Sequence, residues 1–237
     1  MTQYNEIIQK LKLLANPDNV AGMARFGINS DKTFGIKIPD LRKIAKQIGK
    51  DPNVAKAPLG KHALALDLWN SGYHETRILA SMIDDPKLVD EKQMDSWVAD
   101  FDSWDVCDQT AMNLFWLTPF AYDKAVEWSS HQEEFIKRAG FAMMSVLAWK
   151  DKQAKDEQLL KFLPIIKREA TDNRNFVKKA VNWALRQIGK RNSNLNKNAI
   201  ETAKEIQLIG NKAAKWIAND ALKELQGEAV QKRLGNC

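Results

Sequence analysis

Trp104 and Asp108 stand four residues apart in the run Ser103-Trp104-Asp105-Val106-Cys107-Asp108. On a helix this spacing sends an indole and a carboxylate off the same face, one turn apart. The apolar stripe of the segment runs through Val106, Cys107, Thr110, Ala111, Leu114 and Leu117, and the pair falls at its edge. An aromatic and an acid so placed can line a groove. They also suit a plainer role, as a core-edge tryptophan and a helix-start aspartate favoured by the N-terminal dipole.

A second constellation lies on the segment 174–190. Phe176, Val177, Ala180, Val181, Ala184, Leu185 and Ile188 form one apolar arc, and Trp183 sits just outside it. Lys179, Arg186 and Lys190 are at i−4, i+3 and i+7 of Trp183. Aromatics interleaved with cations suit a nucleic-acid backbone with its sugars and bases. The alternative is a partly exposed tryptophan under snorkelling lysine stems. A third candidate, Arg138, interrupts the almost wholly apolar segment 132–149 on the side that carries Ser145 and Trp149. A buried arginine needs a carboxylate or phosphate partner. A fourth is the join Met23-Ala24-Arg25-Phe26-Gly27 with Phe34-Gly35-Ile36-Lys37-Ile38-Pro39-Asp40-Leu41-Arg42-Lys43. It is basic, aromatic and glycine-bearing, and reads either as a loop that touches a polyanion or as a solvated turn.

The elements that must position these residues are helices throughout. Apolar residues recur at i, i+3, i+4 and i+7, with little β-branched alternation. The pattern predicts helices over 2–14, 17–25, 39–49, 58–71, 74–84, 90–100, 103–117, 121–129, 132–149, 156–169, 174–190, 194–209 and 212–226. Pro39 suits the first helical position, and Gly49 and Gly189 suit helix ends. Short polar links imply antiparallel helix pairs, recurring at roughly 35–45 residues as in HEAT or armadillo arrays. The expected fold is therefore all-α, a curved superhelical stack of antiparallel helix pairs. No long low-complexity linker divides the chain, so residues 1–237 are expected to form a single repeat domain; a compact irregular bundle is the alternative.

Bulk composition narrows the function. The 237 residues are 44% hydrophobic and 28% charged, as in a globular protein large enough for a substantial core. No apolar run approaches a membrane span, and the N-terminus lacks a signal-peptide pattern. Two cysteines, Cys107 and Cys237, make no disulfide framework and suit a reducing cytoplasm. Three histidines (His62, His74, His131) lack ligand spacing, so no metal site is expected. There is no glycine-rich phosphate loop. The net charge of +6 leans towards a polyanionic partner.

These motifs together resemble the AlkD-like DNA alkylation repair glycosylases, all-α proteins of HEAT-like repeats. The resemblance rests on Met23 to Phe26, Phe34 to Pro39, Ser103 to Asp108, Arg138-Ala139 and Lys179 to Arg186, in that order along most of the chain. It implies excision of cationic alkylated purines, such as 3-methyladenine and 7-methylguanine, from duplex DNA by hydrolysis of the N-glycosidic bond. It further implies a basic cleft in which Asp108 is the catalytic aspartate, Trp104 and Trp183 the two tryptophans and Arg138 the arginine. Lys179, Arg186 and Lys190 would join them on the DNA, together with Phe26 and Lys37. Phe26 stands where a family member can carry a tyrosine, and Lys37 where one can carry a glutamine. No cofactor, small molecule or membrane enters the expectation, and the protein is read as a monomer. Two other readings stay open: a DNA-binding relative without excision that recognises altered DNA structure, and a helical-repeat adaptor for protein partners.

Overall fold

In a computed structural model, the chain is described over residues 3–52 and 60–235, and these are helical with no strand among them. Contacts gather the chain into two compact units, Met1–Thr118 and Pro119–Cys237. No helix of the described residues is long and apolar enough to cross a membrane.

The first unit holds α1 (Gln3–Leu13), α2 (Pro17–Ala24), α3 (Ile38–Ile48), α4 (Gly60–Asn70), α5 (His74–Ile83), α6 (Glu91–Ala99), α7 (Trp104–Asn113) and a 3-10 turn, Phe115–Leu117. Its hub is α5, which packs on α3, α4 and α7. That position buries Ile78, Leu79, Ala80 and Ile83, and also the polar His74, Glu75, Thr76 and Ser81. Each large aliphatic side chain taken from water contributes about 1.5–3 kcal/mol; each buried polar one must find a partner. An aromatic cluster closes the unit, with Trp69 and Trp97 stacked at 3.9 Å and Phe101 and Phe115 alongside. The Trp69 Nε1–H donates to Asp100 Oδ2 at 2.8 Å, so the buried indole is satisfied.

The second unit holds α8 (Ala121–Ser129), α9 (Glu134–Lys150), α10 (Asp156–Leu160), α11 (Phe162–Glu169), α12 (Asn175–Gly189), α13 (Ser193–Gln207), α14 (Lys212–Leu225) and α15 (Glu228–Arg233). Here α9 is the hub, between α8 and α12, and every residue from Lys137 to Ala148 is buried. Gly140 lets α8 come this close: a Cβ there would lie 2.4 Å from the backbone nitrogen of Ser129. Within the units the consecutive helices α4 and α5, α8 and α9, and α13 and α14 pack on one another, as the short links imply.

The caps follow the sequence. Asn16, Asn192 and Asn211 each accept a backbone N–H one turn into the helix they open. Two segments break where the periodicity runs on. The segment 103–117 stops being α-helical at Asn113 and finishes as the 3-10 turn. Pro119 bars Thr118 from helical backbone, and Thr118 is extended at φ −81°, ψ 154°. The segment 156–169 breaks at Lys161. A continuous helix would set the Pro164 ring against the carbonyl of Leu160, whereas in the first turn of α11 the missing N–H costs nothing. The short α15 has too few turns to show a period. The expected helices 2–14 and 58–71 extend onto residues 2, 58 and 59, and Cys237 is the last residue; all four lie outside the described residues.

Candidate nucleic-acid interface

In the first unit, the join between α2 and α3 is built from below by one carboxylate. Glu75, fully buried near the start of α5, accepts the backbone N–H groups of Phe34 (2.8 Å), Gly35 (2.6 Å) and Ile36 (3.0 Å). Three amides on one carboxyl group fix a loop that has no helix or sheet of its own. Gly35 has φ +77°, and a Cβ there would lie 2.3 Å from the carbonyl oxygen of Asn16, so no other residue fits. The neighbouring Phe34 ring stacks on Tyr73 at 4.6 Å. This rigid join presents Lys37, which is exposed, at the start of α3.

Opposite it, α7 begins at Trp104. Ser103 stands at the N-cap, and its hydroxyl accepts the backbone N–H of Asn29 at 2.9 Å. The Trp104 Nε1–H donates to the carbonyl of Phe26 at 3.1 Å. The Phe26 ring is 73% exposed, a large apolar surface offered to solvent. Between these parts lies a cleft of about 350 Å³ lined by Met23, Phe26, Ile36, Lys37, Ile38, His74, Ile78, Trp104 and Asp105. The structure therefore brings Trp104, Phe26 and Lys37 onto one cleft. Asp108 lies one turn further along α7 and is buried, at 9% exposure.

Sequence reasoning passed over the polar pair in this cleft. His74 Nε2 lies 3.0 Å from Asp105 Oδ2. Burial pushes the imidazole pKa down, but the hydrogen bond and charge of Asp105, with the charges of Glu75 and Asp102, push it up by more, so the net shift is upward. His74 Nδ1 is buried without a hydrogen-bond partner among the described residues. Asp105 belongs to the singled-out motif, but nothing in the spacing shows which distant histidine meets it.

In the second unit, α12 sets Lys179, Trp183, Arg186 and Lys190 on one side, as its period requires. Lys179 is exposed and Trp183 half-buried. Arg186 and Lys190 meet acids of α14. Arg186 Nη1 lies 2.5 Å from Glu224 Oε2 and its Nε 3.6 Å from Asp220 Oδ2; Lys190 Nζ lies 2.7 Å from Glu224 Oε1. Burial raises the pKa of Glu224, and Lys190 and Arg186 together lower it by more. The stripe that reads as uniformly basic in sequence is thus partly offset within the fold. Arg138, 6% exposed on α9, donates from Nη1 to the carbonyl of Phe176 at 2.7 Å, at the first turn of α12. Its neighbour Lys137 is held by Glu169 at 2.7 Å and Asp172 at 3.4 Å. No group of three or more His, Cys, Asp or Glu that could hold a metal occurs among the described residues.

Comparison with known proteins gives this architecture its class. A solved structure described as "A new family of proteins related to the HEAT-like repeat DNA glycosylases with affinity for branched DNA structures" matches with a TM-score of 0.78. Its sequence is 22% identical, and the match covers 99% of this chain and 97% of that one. The fold is of the HEAT-like repeat class. The family described as DNA alkylation repair enzyme matches residues 7–225, and the chain belongs to that family. A search of the curated proteins returns no match.

Proposed function

We propose that this protein is a DNA glycosylase that releases cationic alkylated purines, such as 3-methyladenine and 7-methylguanine, from duplex DNA. The observation that carries the reading is the start of α7, where Trp104 walls an aromatic, lysine-edged cleft and Asp108 follows one turn later in a buried setting. It is supported by membership of a DNA alkylation repair enzyme family.

The chemistry asks little of acid catalysis. A purine alkylated at N3 or N7 already carries positive charge, so it leaves without being protonated. As the N-glycosidic bond lengthens, positive charge grows on the deoxyribose. A carboxylate fixed nearby stabilises that charge more than it stabilises the ground state. Asp108 is given this role, and it also orients the attacking water. In a buried setting its field is less screened than in water. Trp104 and Trp183 offer electron-rich faces to the charged sugar. Arg138, Lys179, Arg186 and Lys190 contact phosphates and set register, with Phe26 and Lys37 on the same DNA. Arg186 and Lys190 would do so at the expense of their bonds to Glu224.

A second reading is favoured by a specific observation. The matched structure is described as having affinity for branched DNA structures, and the second reading is that this chain binds such DNA without excising a base. The two readings separate in one pair of measurements. DNA affinity should fall steeply with salt under both. Release of 7-methylguanine from methylated duplex supports the glycosylase; tight, salt-sensitive binding without release supports the second reading.

A further inference from the structure

A recess of about 540 Å³ opens in the second unit where the C-terminal ends of α9 and α12 meet α15. Lys152, Lys190, Arg191 and Arg233 line it, and no carboxylate does so among the described residues. How these cations are held is the informative feature. Arg191 donates to the carbonyls of Ala148 and Ala154, both at 3.0 Å. Arg233 donates to the carbonyl of Lys190, and Lys152 to that of Trp149 at 2.6 Å. A carbonyl positions a cation without pairing its charge, so three of the four have no carboxylate partner among the described residues; Lys190 pairs with Glu224. Fixed guanidinium groups with donors to spare match a phosphate. At the rim stands Trp149, 49% exposed, with Lys150 Nζ 5.5 Å from its ring centre. An exposed indole beside anchored cations is a stacking surface set next to an anion site.

We propose that this recess binds the sugar–phosphate backbone of an unpaired DNA strand, with an adjoining base stacked on Trp149. Bases inside a duplex have no free face for that indole, and a blunt helix offers one only at its two end pairs, so the occupant is a single-stranded arm or flap. The inference rests on the DNA-binding part of the reading above and not on Asp108 or on excision.

The test is fluorescence anisotropy on two labelled substrates of one sequence, a blunt duplex and the same duplex with a single-stranded flap. Wild type is compared with Trp149→Ala, Trp149→Phe and Lys152→Ala. Trp149 and Lys152 are both exposed, and unchanged melting temperatures would show that the variants fold. Trp149→Ala should weaken flap binding about tenfold and blunt binding less than twofold, with Trp149→Phe recovering most of the loss. Lys152→Ala should lower the salt slope for the flap by about one and leave that for blunt duplex alone. Equal losses on both substrates, or none on the flap, would overturn the proposal. So would inorganic phosphate that displaces the flap at concentrations leaving blunt binding intact, since that marks a small-anion pocket. Wild type that binds neither substrate would remove the DNA reading itself, whereas selective flap losses in a protein that excises nothing would uphold this proposal and defeat only the glycosylase.

Discussion

Glu75 is the residue on which the α2–α3 join depends, because one buried carboxylate satisfies three amides that have no other scaffold. Glu75→Ala should cost about 3 kcal/mol or more, since the loss strands buried donors. Glu75→Gln should cost less, because its amide oxygen still accepts. Denaturant unfolding of the two variants measures the difference. His74 makes a second claim at this scale. Its folded pKa is raised above the ordinary value, so its contribution to stability is complete below about pH 6.5 and fades as pH rises through the folded value. Melting temperatures from about pH 6 to pH 9 should therefore decline in wild type. The decline should be shallower in Asp105→Asn, which removes the partner that raises the pKa; parallel curves would contradict the assignment. Of these side chains the sequence showed Trp104, Phe26 and Lys37, because each stood in a local motif of recognisable chemistry. His74, Asp105 and Glu75 stayed hidden because their partners lie 31 to 41 residues away, and single-chain periodicity carries no pairing information across that distance.

At the scale of the element, helix existence was readable almost throughout, because an amphipathic stripe repeats every 3.6 residues whatever the fold. What failed was continuity near prolines. The break at Lys161 follows from Pro164, whose ring would meet the carbonyl four residues upstream, and Pro119 holds Thr118 out of helical backbone so that no helix runs on past Leu117. The packing of one helix on another was less readable. Gly140 has no turn role, and its reason is the Ser129 backbone 2.4 Å from where a Cβ would stand. Gly140→Ala should separate α8 from α9 and cost about 1–3 kcal/mol. Thermal unfolding checks this, and a neutral outcome would mean that the two helices yield easily. The same limit explains the α12 stripe. Its cations were legible from spacing, but Glu224 and Asp220, which answer Arg186, sit on a helix 34 to 38 residues later.

At the scale of the molecule, the +6 net charge and the pairing of helices are legible in the sequence, because both are properties of the chain as a whole. The boundary between the two compact units falls at Thr118 and Pro119, and no change in composition marks it. Function at this scale turns on whether the family's chemistry is present as well as its fold. The most direct measurement is single-turnover release of 7-methylguanine from methylated duplex by wild type and by Asp108→Asn, with DNA affinity measured for both. The account expects release by wild type and a loss of about 10²-fold or more in the variant, at nearly unchanged affinity. Equal release by the two proteins would contradict it, as would a wild type that binds the duplex tightly and releases nothing.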